Sequence, residues 1–205
     1  MKNKKCAVFL VAENHAGKTS VANGLGAEYK DFGHYSIREI IKTMHLLTTD
    51  ENPLTDRDGL QAFSQAMKKQ YGPEIFIKKA LTEFDNSSHK ICIIESLRCP
   101  GEPHWLRHHS AKDFPDIDIL IIGLTASVPE RYGRFCHSRQ DNIATVLSYE
   151  EFIRHDDLVN KGTQSWEENI AETIKNVDYS IRNADNALSS TIIQFKQAIS
   201  TVYVV

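Results

Sequence analysis

The sequence predicts an α/β domain, a three-layer sandwich in which helices cover both faces of a five-stranded parallel sheet. Four apolar runs and one shorter run have strand length, at residues 6–11, 32–35, 90–94, 117–124 and 177–181. Between them, apolar residues recur every three or four positions, as in amphipathic helices, most clearly at 59–67, 75–81 and 192–199. Strands that alternate with helices favour a parallel sheet that is buried on both faces.

Length and composition predict one domain over residues 1–205. Hydrophobic residues make up 41% and charged residues 25% of the chain, which is ordinary for a globular protein. The net charge of −3 gives no reason to expect nucleic acid as a partner. The apolar stretch after the basic N-terminus is too short for a membrane span, so we expect a cytoplasmic protein without a membrane partner. The sequence does not indicate the oligomeric state.

A phosphate-binding loop follows the first predicted strand. Residues 12–19 read Ala-Glu-Asn-His-Ala-Gly-Lys-Thr, the P-loop pattern with alanine in place of its first glycine. Such a loop wraps backbone amides around phosphate oxygens and ends at the positive end of a helix. We expect it to bind ATP with Mg²⁺ as cofactors, Lys18 at the terminal phosphates and the Thr19 hydroxyl on the metal. The predicted ATP-binding residues are Ala12, Glu13, Asn14, His15, Ala16, Gly17, Lys18, Thr19 and Ser20.

A second polar group follows the third predicted strand, at the sheet edge where ligands gather in parallel α/β folds. Glu95 is placed to hold Mg²⁺, and the Arg98 guanidinium can bind a phosphate with two parallel bonds. The alternative is that the two side chains simply pair with each other. Residues 95–102, Glu-Ser-Leu-Arg-Cys-Pro-Gly-Glu, resemble a segment of the P-loop kinases near adenylate kinase and the archaeal dephospho-CoA-kinase-like proteins. We expect Arg98 to act in catalysis and, with Glu102, in acceptor binding.

An arginine-rich lid is predicted at about residues 129–160. Arg131, Arg134 and Arg139 follow the fourth strand and are expected to spread the charge of a transferred phosphoryl group. The segment resembles the lid of nucleoside monophosphate kinases, which closes over ATP. Ser148 and Glu151 have the spacing of a capping box at a helix start. Asp156, further along, belongs either to this resemblance or to a solvated helix face.

The acceptor is expected to bind opposite ATP, in a helical region at about residues 36–85. Ser36 begins a stretch similar to the acceptor helix of adenylate-kinase-like enzymes, where Lys42 takes the place of the usual arginine. Arg38 and Arg57 are the other cations that could grip an acceptor phosphate, and the sequence does not choose among the three. After the fifth strand, Asn183 belongs to an Ile-x-Asn turn that lies close to adenine in the related kinases.

The residues therefore predict a phosphotransferase that acts on a small molecule. A nucleoside monophosphate or deoxynucleotide is the preferred acceptor, because cations surround its expected site. An alcohol acceptor, as in dephospho-CoA kinase, needs a carboxylate base there, for which Asp31 is a loose candidate. A protein that binds ATP for regulation, without transfer, is the non-enzymatic alternative.

Overall fold

The computed structural model describes residues 4–49, 57–139, 146–158, 160–185 and 187–203. Its strands are β1 (Lys5–Ala12), β2 (Phe32–Ser36), β3 (Ile91–Leu97), β4 (Ile117–Thr125) and β5 (Tyr179–Arg182). They form a single five-stranded parallel sheet in the order β2-β3-β1-β4-β5. The predicted fold class and the position of every predicted strand are confirmed, with shifts of a few residues at the ends.

Helices pack on both faces of this sheet. Their bounds are α1 (Lys18–Glu28), α2 (Ile37–Thr49), α3 (Arg57–Tyr71), α4 (Ile75–Asp85), α5 (Gly101–His108), α6 (Ser110–Asp113), α7 (Val128–His137), α8 (Tyr149–Leu158), α9 (Ile170–Thr173) and α10 (Leu188–Ser200). A 3₁₀ turn at Ile174–Asn176 precedes β5. None of the described helices has the length and apolarity that a bilayer span requires.

Two hydrophobic clusters, one on each face, hold the sheet between its helices. Along β1 the side chains alternate between the clusters, as strand geometry requires. Phe9 faces the cluster that includes residues of α2, α4 and α5, whereas Val8 and Leu10 face the one that includes α1 and α10. All three side chains are fully buried. The central strand β1 therefore delivers its C-terminal loop from a rigid position.

The helices of the lid begin with capping boxes. At α8, Ser148 N–H donates to the Glu151 carboxylate at 2.9 Å and Glu151 N–H donates to Ser148 Oγ at 3.2 Å, which confirms the predicted helix start. A second capping box, which was not predicted from the sequence, joins Ser127 and Glu130 at the start of α7. These contacts satisfy amide groups that a helix end leaves without a partner.

Candidate functional site

The loop between β1 and α1 has the backbone of a phosphate cradle. His15 and Gly17 have positive φ angles of 61° and 99°, and left-handed positions of this kind produce anion-binding turns of successive amides. Lys18 begins α1, and its Nζ donates to the carbonyls of Glu13 at 3.0 Å and Ala12 at 3.3 Å. The ammonium therefore lies beside the loop, as the motif predicts.

Lys18 is electrostatically primed for an anion. Burial is the main cause that lowers its pKa to about 8, and the nearby Arg98 guanidinium lowers it further, against the opposing carboxylates of Glu95 and Glu13. A nearby anion would attract both cations and so offset the desolvation and the repulsion that lower this pKa. The site therefore favours a ligand with several negative charges.

At the end of β3 a bulge points polar groups into the site. Glu95 and Ser96 lie inside the strand rather than after it, and the register with β1 shifts between Leu10 and Val11. Ser96 has a φ of 87°, a left-handed conformation that is rare for residues other than glycine. Bulges of this kind redirect side chains at functional sites. The Glu95 carboxylate accepts from His34 Nε2 at 3.0 Å and does not pair with Arg98.

Arg98 reaches across to the phosphate loop. Its Nη2 donates to Asn14 Oδ1 at 3.2 Å, and its Nη1 donates to Glu168 Oε2 at 3.3 Å. Glu102, which we expected at the acceptor, is instead 1% exposed. Its carboxylate accepts from the backbone amides of Arg98 and Cys99 and from Lys68. Glu102 therefore fixes the turn that carries Arg98 and has no surface left for a substrate.

The three lid arginines have different surroundings. Arg131 is buried and forms two bonds to Asp156, at 2.7 and 2.6 Å, while its Nε lies 3.2 Å from a Glu13 oxygen. Arg134 donates to the P-loop carbonyl of Ala16 at 3.2 Å. Arg139 is exposed and lines a cavity that Lys18 and Arg98 also line. The first two therefore attach the segment to the P-loop, and Arg139 is the one of the three that lines the cavity.

Asn183 supports the P-loop through a hydrogen bond to the carbonyl of Ala16. It is 5% exposed, its Nδ2 donates to the carbonyl of Ala16 at 2.8 Å, and its Oδ1 accepts from Thr191 at 3.2 Å. Since both ends of the amide are bonded inside the protein, its visible role is to hold the loop. The expected contact with adenine stays a prediction.

A cavity of about 770 Å³ is lined both by residues predicted to bind ATP and by residues predicted to bind the phosphate acceptor. Among the described residues, the predicted ones that line it are Asn14, His15, Gly17, Lys18, Thr19, Ser20, Ser36, Arg38, Glu95, Arg98 and Arg139. Lys42 is not among them, and its ammonium bonds to Glu39 at 2.8 Å. Arg57 begins α3, and its side chain lies outside the described residues, as does the loop that precedes it. Of the two candidate acceptor cations whose side chains are described, Arg38 is the one that lines this cavity.

Several cavity residues were missed by sequence reasoning. Gln61, Ser64 and Lys68 of α3 have the spacing of one helix face and line the acceptor side. Their spacing was visible as part of a helical pattern, but nothing in the sequence shows which face meets the cavity. Glu168 was also missed and lines the cavity, bonded to Arg98. Asp156, for which the sequence left a site role and a solvated helix face open, lines the cavity too and is bonded to Arg131.

The fit of a divalent cation rests on oxygen donors. The exposed Thr19 hydroxyl and the Glu95 carboxylate line the same cavity as Lys18. Hydroxyl and carboxylate oxygens are the donors that Mg²⁺ prefers, usually together with water and substrate phosphates. Within the described ranges, no group of three or more His, Cys, Asp or Glu side chains could hold a metal ion. Thr19 and Glu95 thus fit a Mg²⁺ ion that a bound phosphate helps to hold.

Solved structures of the same fold cover nearly the whole chain. Shikimate kinase from Acinetobacter baumannii matches with a TM-score of 0.53 and 13% identity, over 97% of this chain and 95% of that one. The TT1252 protein of Thermus thermophilus matches with a TM-score of 0.60 and 12% identity, over 99% and 100%. The tunicamycin resistance protein of Deinococcus radiodurans matches with a TM-score of 0.58 and 10% identity, over 98% and 98%.

The five-stranded parallel sheet with helices on both faces and these matches indicate the same fold class. The chain has the fold of the P-loop kinases. No protein-family model matches the sequence, and no curated protein does. At identities of 10–13% the matches establish the P-loop kinase fold alone, so the chemistry has to be argued from the side chains of the site.

Proposed function

We propose that the protein is an ATP- and Mg²⁺-dependent phosphotransferase that acts on a small-molecule acceptor. The observation that carries the proposal is the cavity lined by lysines and arginines from five parts of the fold: Lys18 of α1, Arg38 of α2, Lys68 of α3, which pairs with Glu102, Arg98 after β3 and Arg139 after α7. Phosphoryl transfer is catalysed mainly by positioning and by fixed charges around the transferred group. A protein that only binds ATP needs no second set of cations on the opposite side of the cavity.

In this mechanism the P-loop amides and Lys18 hold the β- and γ-phosphates. Thr19 and Glu95 are the residues that would hold Mg²⁺, which when bound neutralises the phosphate charge. Arg98 and Arg139 stabilise the charge that spreads over the γ-phosphoryl oxygens during transfer. Arg131, Arg134 and Asn183 keep the lid and the P-loop in register. The role of each residue is inferred from where its side chain lies.

A nucleoside monophosphate or deoxynucleotide is the acceptor that we propose. Arg38 places a cation on the acceptor side, and Ile41, Leu60, Gln61 and Ser64 provide apolar and hydrogen-bonding surface beside it. Apolar walls with a few polar groups suit a flat heterocycle. An alcohol acceptor requires a base, and the described carboxylates that line the cavity are each bonded already: Glu95 to His34, Asp156 to Arg131 and Glu168 to Arg98. Asp31, the candidate base, does not line it.

The proposal is tested by ADP release in a coupled assay. Mg-ATP is offered with each nucleoside monophosphate, each deoxynucleotide and dephospho-CoA in turn. We expect turnover with at least one nucleotide acceptor, and a loss of about 100-fold or more in kcat for Lys18→Ala. Lys30→Ala removes an exposed lysine outside the site and is the matched control.

Three results would redirect the proposal. Turnover with dephospho-CoA alone would favour the alcohol acceptor. Binding of ATP without turnover on any acceptor would favour a regulatory protein. Unchanged turnover in Lys18→Ala, with the circular dichroism spectrum intact, would exclude the P-loop mechanism.

A further inference from the structure

A buried ion pair joins helix α3 to the turn that follows β3. Lys68 Nζ lies 2.6 Å from Glu102 Oε1, and the two side chains are 6% and 2% exposed. Lys68 also donates to Cys99 Sγ at 3.1 Å. Burial alone would lower the pKa of Lys68, but the Glu102 carboxylate and Cys99 outweigh it and raise that pKa. Lys68 is therefore held as an ammonium ion.

The other oxygen of Glu102 holds the backbone of Arg98. Glu102 Oε2 accepts from the N–H of Arg98 at 2.6 Å and from the N–H of Cys99 at 2.9 Å. On the other side of the turn, the Arg98 carbonyl accepts from the N–H of Asn169 at 2.8 Å. The Arg98 backbone is thus fixed from two directions. Its guanidinium extends from that fixed point to Asn14 and Glu168.

Helix α3 connects the Lys68–Glu102 pair with the proposed acceptor side of the cavity. Gln61, Ser64 and Lys68 lie at i, i+3 and i+7, and all three line the cavity. Seven residues of α-helix span about 10 Å. One rigid element therefore carries acceptor-facing polar groups at one end and the partner of Glu102 at the other.

An ion pair this deeply buried is a poor source of net stability. Removing two charges from water costs about as much as their attraction returns, and apolar pairs of similar volume often stabilise a protein as well or better. A buried pair can instead hold neighbouring backbone and side chains in one defined position. Here the hydrogen bonds of Lys68 and Glu102 go to each other and to the turn at Arg98 and Cys99.

We propose that Lys68 and Glu102 are positioning residues, which hold Arg98 in the phosphate site and tie its position to the acceptor-side helix α3. The inference rests on the proposed phosphotransfer for its kinetic consequence. Neither residue needs to contact the transferred group. The effect of losing either one should therefore appear only through Arg98.

A double-mutant cycle in kcat tests this dependence. Lys68→Met should lower kcat by about 10- to 100-fold, the effect of misplacing a catalytic group. Its KM for ATP should stay within about twofold, because the P-loop that binds the phosphates is untouched. In an Arg98→Ala background the same substitution should lower kcat no further. An equal loss in both backgrounds would overturn the proposal.

A second variant guards against a folding defect. Lys68→Met/Glu102→Gln removes both charges, so its urea midpoint should recover towards that of the wild type. Its kcat should stay low, because glutamine offers one amide oxygen in place of the two carboxylate oxygens. If kcat recovers together with the midpoint, the pair is only structural and the proposal fails.

Amide hydrogen exchange gives a readout that does not depend on activity. The N–H groups of Arg98 and Cys99 should exchange about tenfold faster or more in Lys68→Met. Lys69→Met, on the exposed side of α3, is the matched control and should leave both rates unchanged. Unchanged rates in Lys68→Met would refute the positioning role. A wild-type protein without turnover would refute phosphotransfer. The exchange rates would still show whether Lys68 and Glu102 hold the backbone of Arg98.

Discussion

Gly17→Ala is the sharpest test of how the phosphate loop is held. Gly17 has a φ of 99° and a ψ of 23°, in the left-handed region. A Cβ added there would lie 2.3 Å from Asn183 Nδ2, closer than real Cβ atoms approach other atoms. Asn183 cannot easily retreat, since it is buried and bonded to Ala16 at one end of its amide and to Thr191 at the other.

The expected loss follows from these two effects. The left-handed backbone costs an alanine about 1–2 kcal/mol. The displaced amide of Asn183 gives up two hydrogen bonds, at about 1 kcal/mol each. We therefore expect the free energy of unfolding to fall by about 3–4 kcal/mol in Gly17→Ala.

Urea unfolding measures this change, and Gly133→Ala is the matched control. Gly133 lies within α7, and an added Cβ there meets no atom within 4 Å. The same substitution should therefore stabilise the protein by about 0.5–1 kcal/mol. The Gly17→Ala/Asn183→Ala pair should cost at least about 1 kcal/mol less than the sum of the single variants, because the clash is gone. A Gly17→Ala loss below about 1 kcal/mol, or strict additivity, would refute the reasoning.

Two further predictions concern charge around the P-loop. Burial, and then the cations Lys18, Arg139 and Arg131, lower the pKa of His15, so its protonation opposes folding and stability is lost as the pH falls below about 6.5. Between about pH 7.5 and about pH 5.5, the urea midpoint should fall more in the wild type than in His15→Asn, a residue that suits a left-handed position; parallel curves would contradict this. Arg131→Met leaves two carboxylates, of which Asp156 is nearly buried, without their cation, and should cost about 3–5 kcal/mol in urea unfolding. Arg139→Met, which removes an exposed guanidinium 5.1 Å from the Phe135 ring centre, should cost about 1 kcal/mol or less while lowering kcat; equal losses of stability would contradict the assignment.

The parts of this protein that sequence could predict are those encoded by neighbouring residues. The three central strands, β1, β3 and β4, are mostly apolar runs, because both faces of the sheet are covered there. The edge strands β2 and β5 are shorter and more exposed, and their sequence signal is weaker. The P-loop is a contiguous motif, and the capping box at Ser148 spans four residues. The order β2-β3-β1-β4-β5 has no such local signal, since it depends on how the crossovers stack.

The contacts that define the site were harder to predict because they join distant residues. Lys68 meets Glu102 across 34 positions, and Arg131 meets Asp156 across 25. The sequence identified Glu102 and Arg131 as chemically relevant but assigned both to ligands, whereas the structure shows each bonded to another side chain. The bulge and the left-handed conformation of Ser96 lie just beyond the predicted apolar run 90–94, and nothing in the local sequence marks them.

A cation's partner decides whether it can serve a phosphate. Arg131 is 1% exposed and already bonded to Asp156, so it could bind a ligand only by abandoning a buried carboxylate, at a cost of several kcal/mol. Arg38 and Arg139 form no ion pair with a carboxylate of the described residues, and both line the cavity. A solvated guanidinium that pairs with no described carboxylate gives up little when a phosphate arrives, so Arg38 and Arg139 should bind a ligand most readily, together with Lys18 of the P-loop. Arg98 pairs with Glu168 at 3.3 Å and would act on a ligand in competition with that carboxylate. The number of arginines in the lid therefore overstates the positive charge that the lid can place at a transferred phosphoryl group. The contacts of Arg131 with Asp156 and with Glu13 of the P-loop hold the lid against that loop.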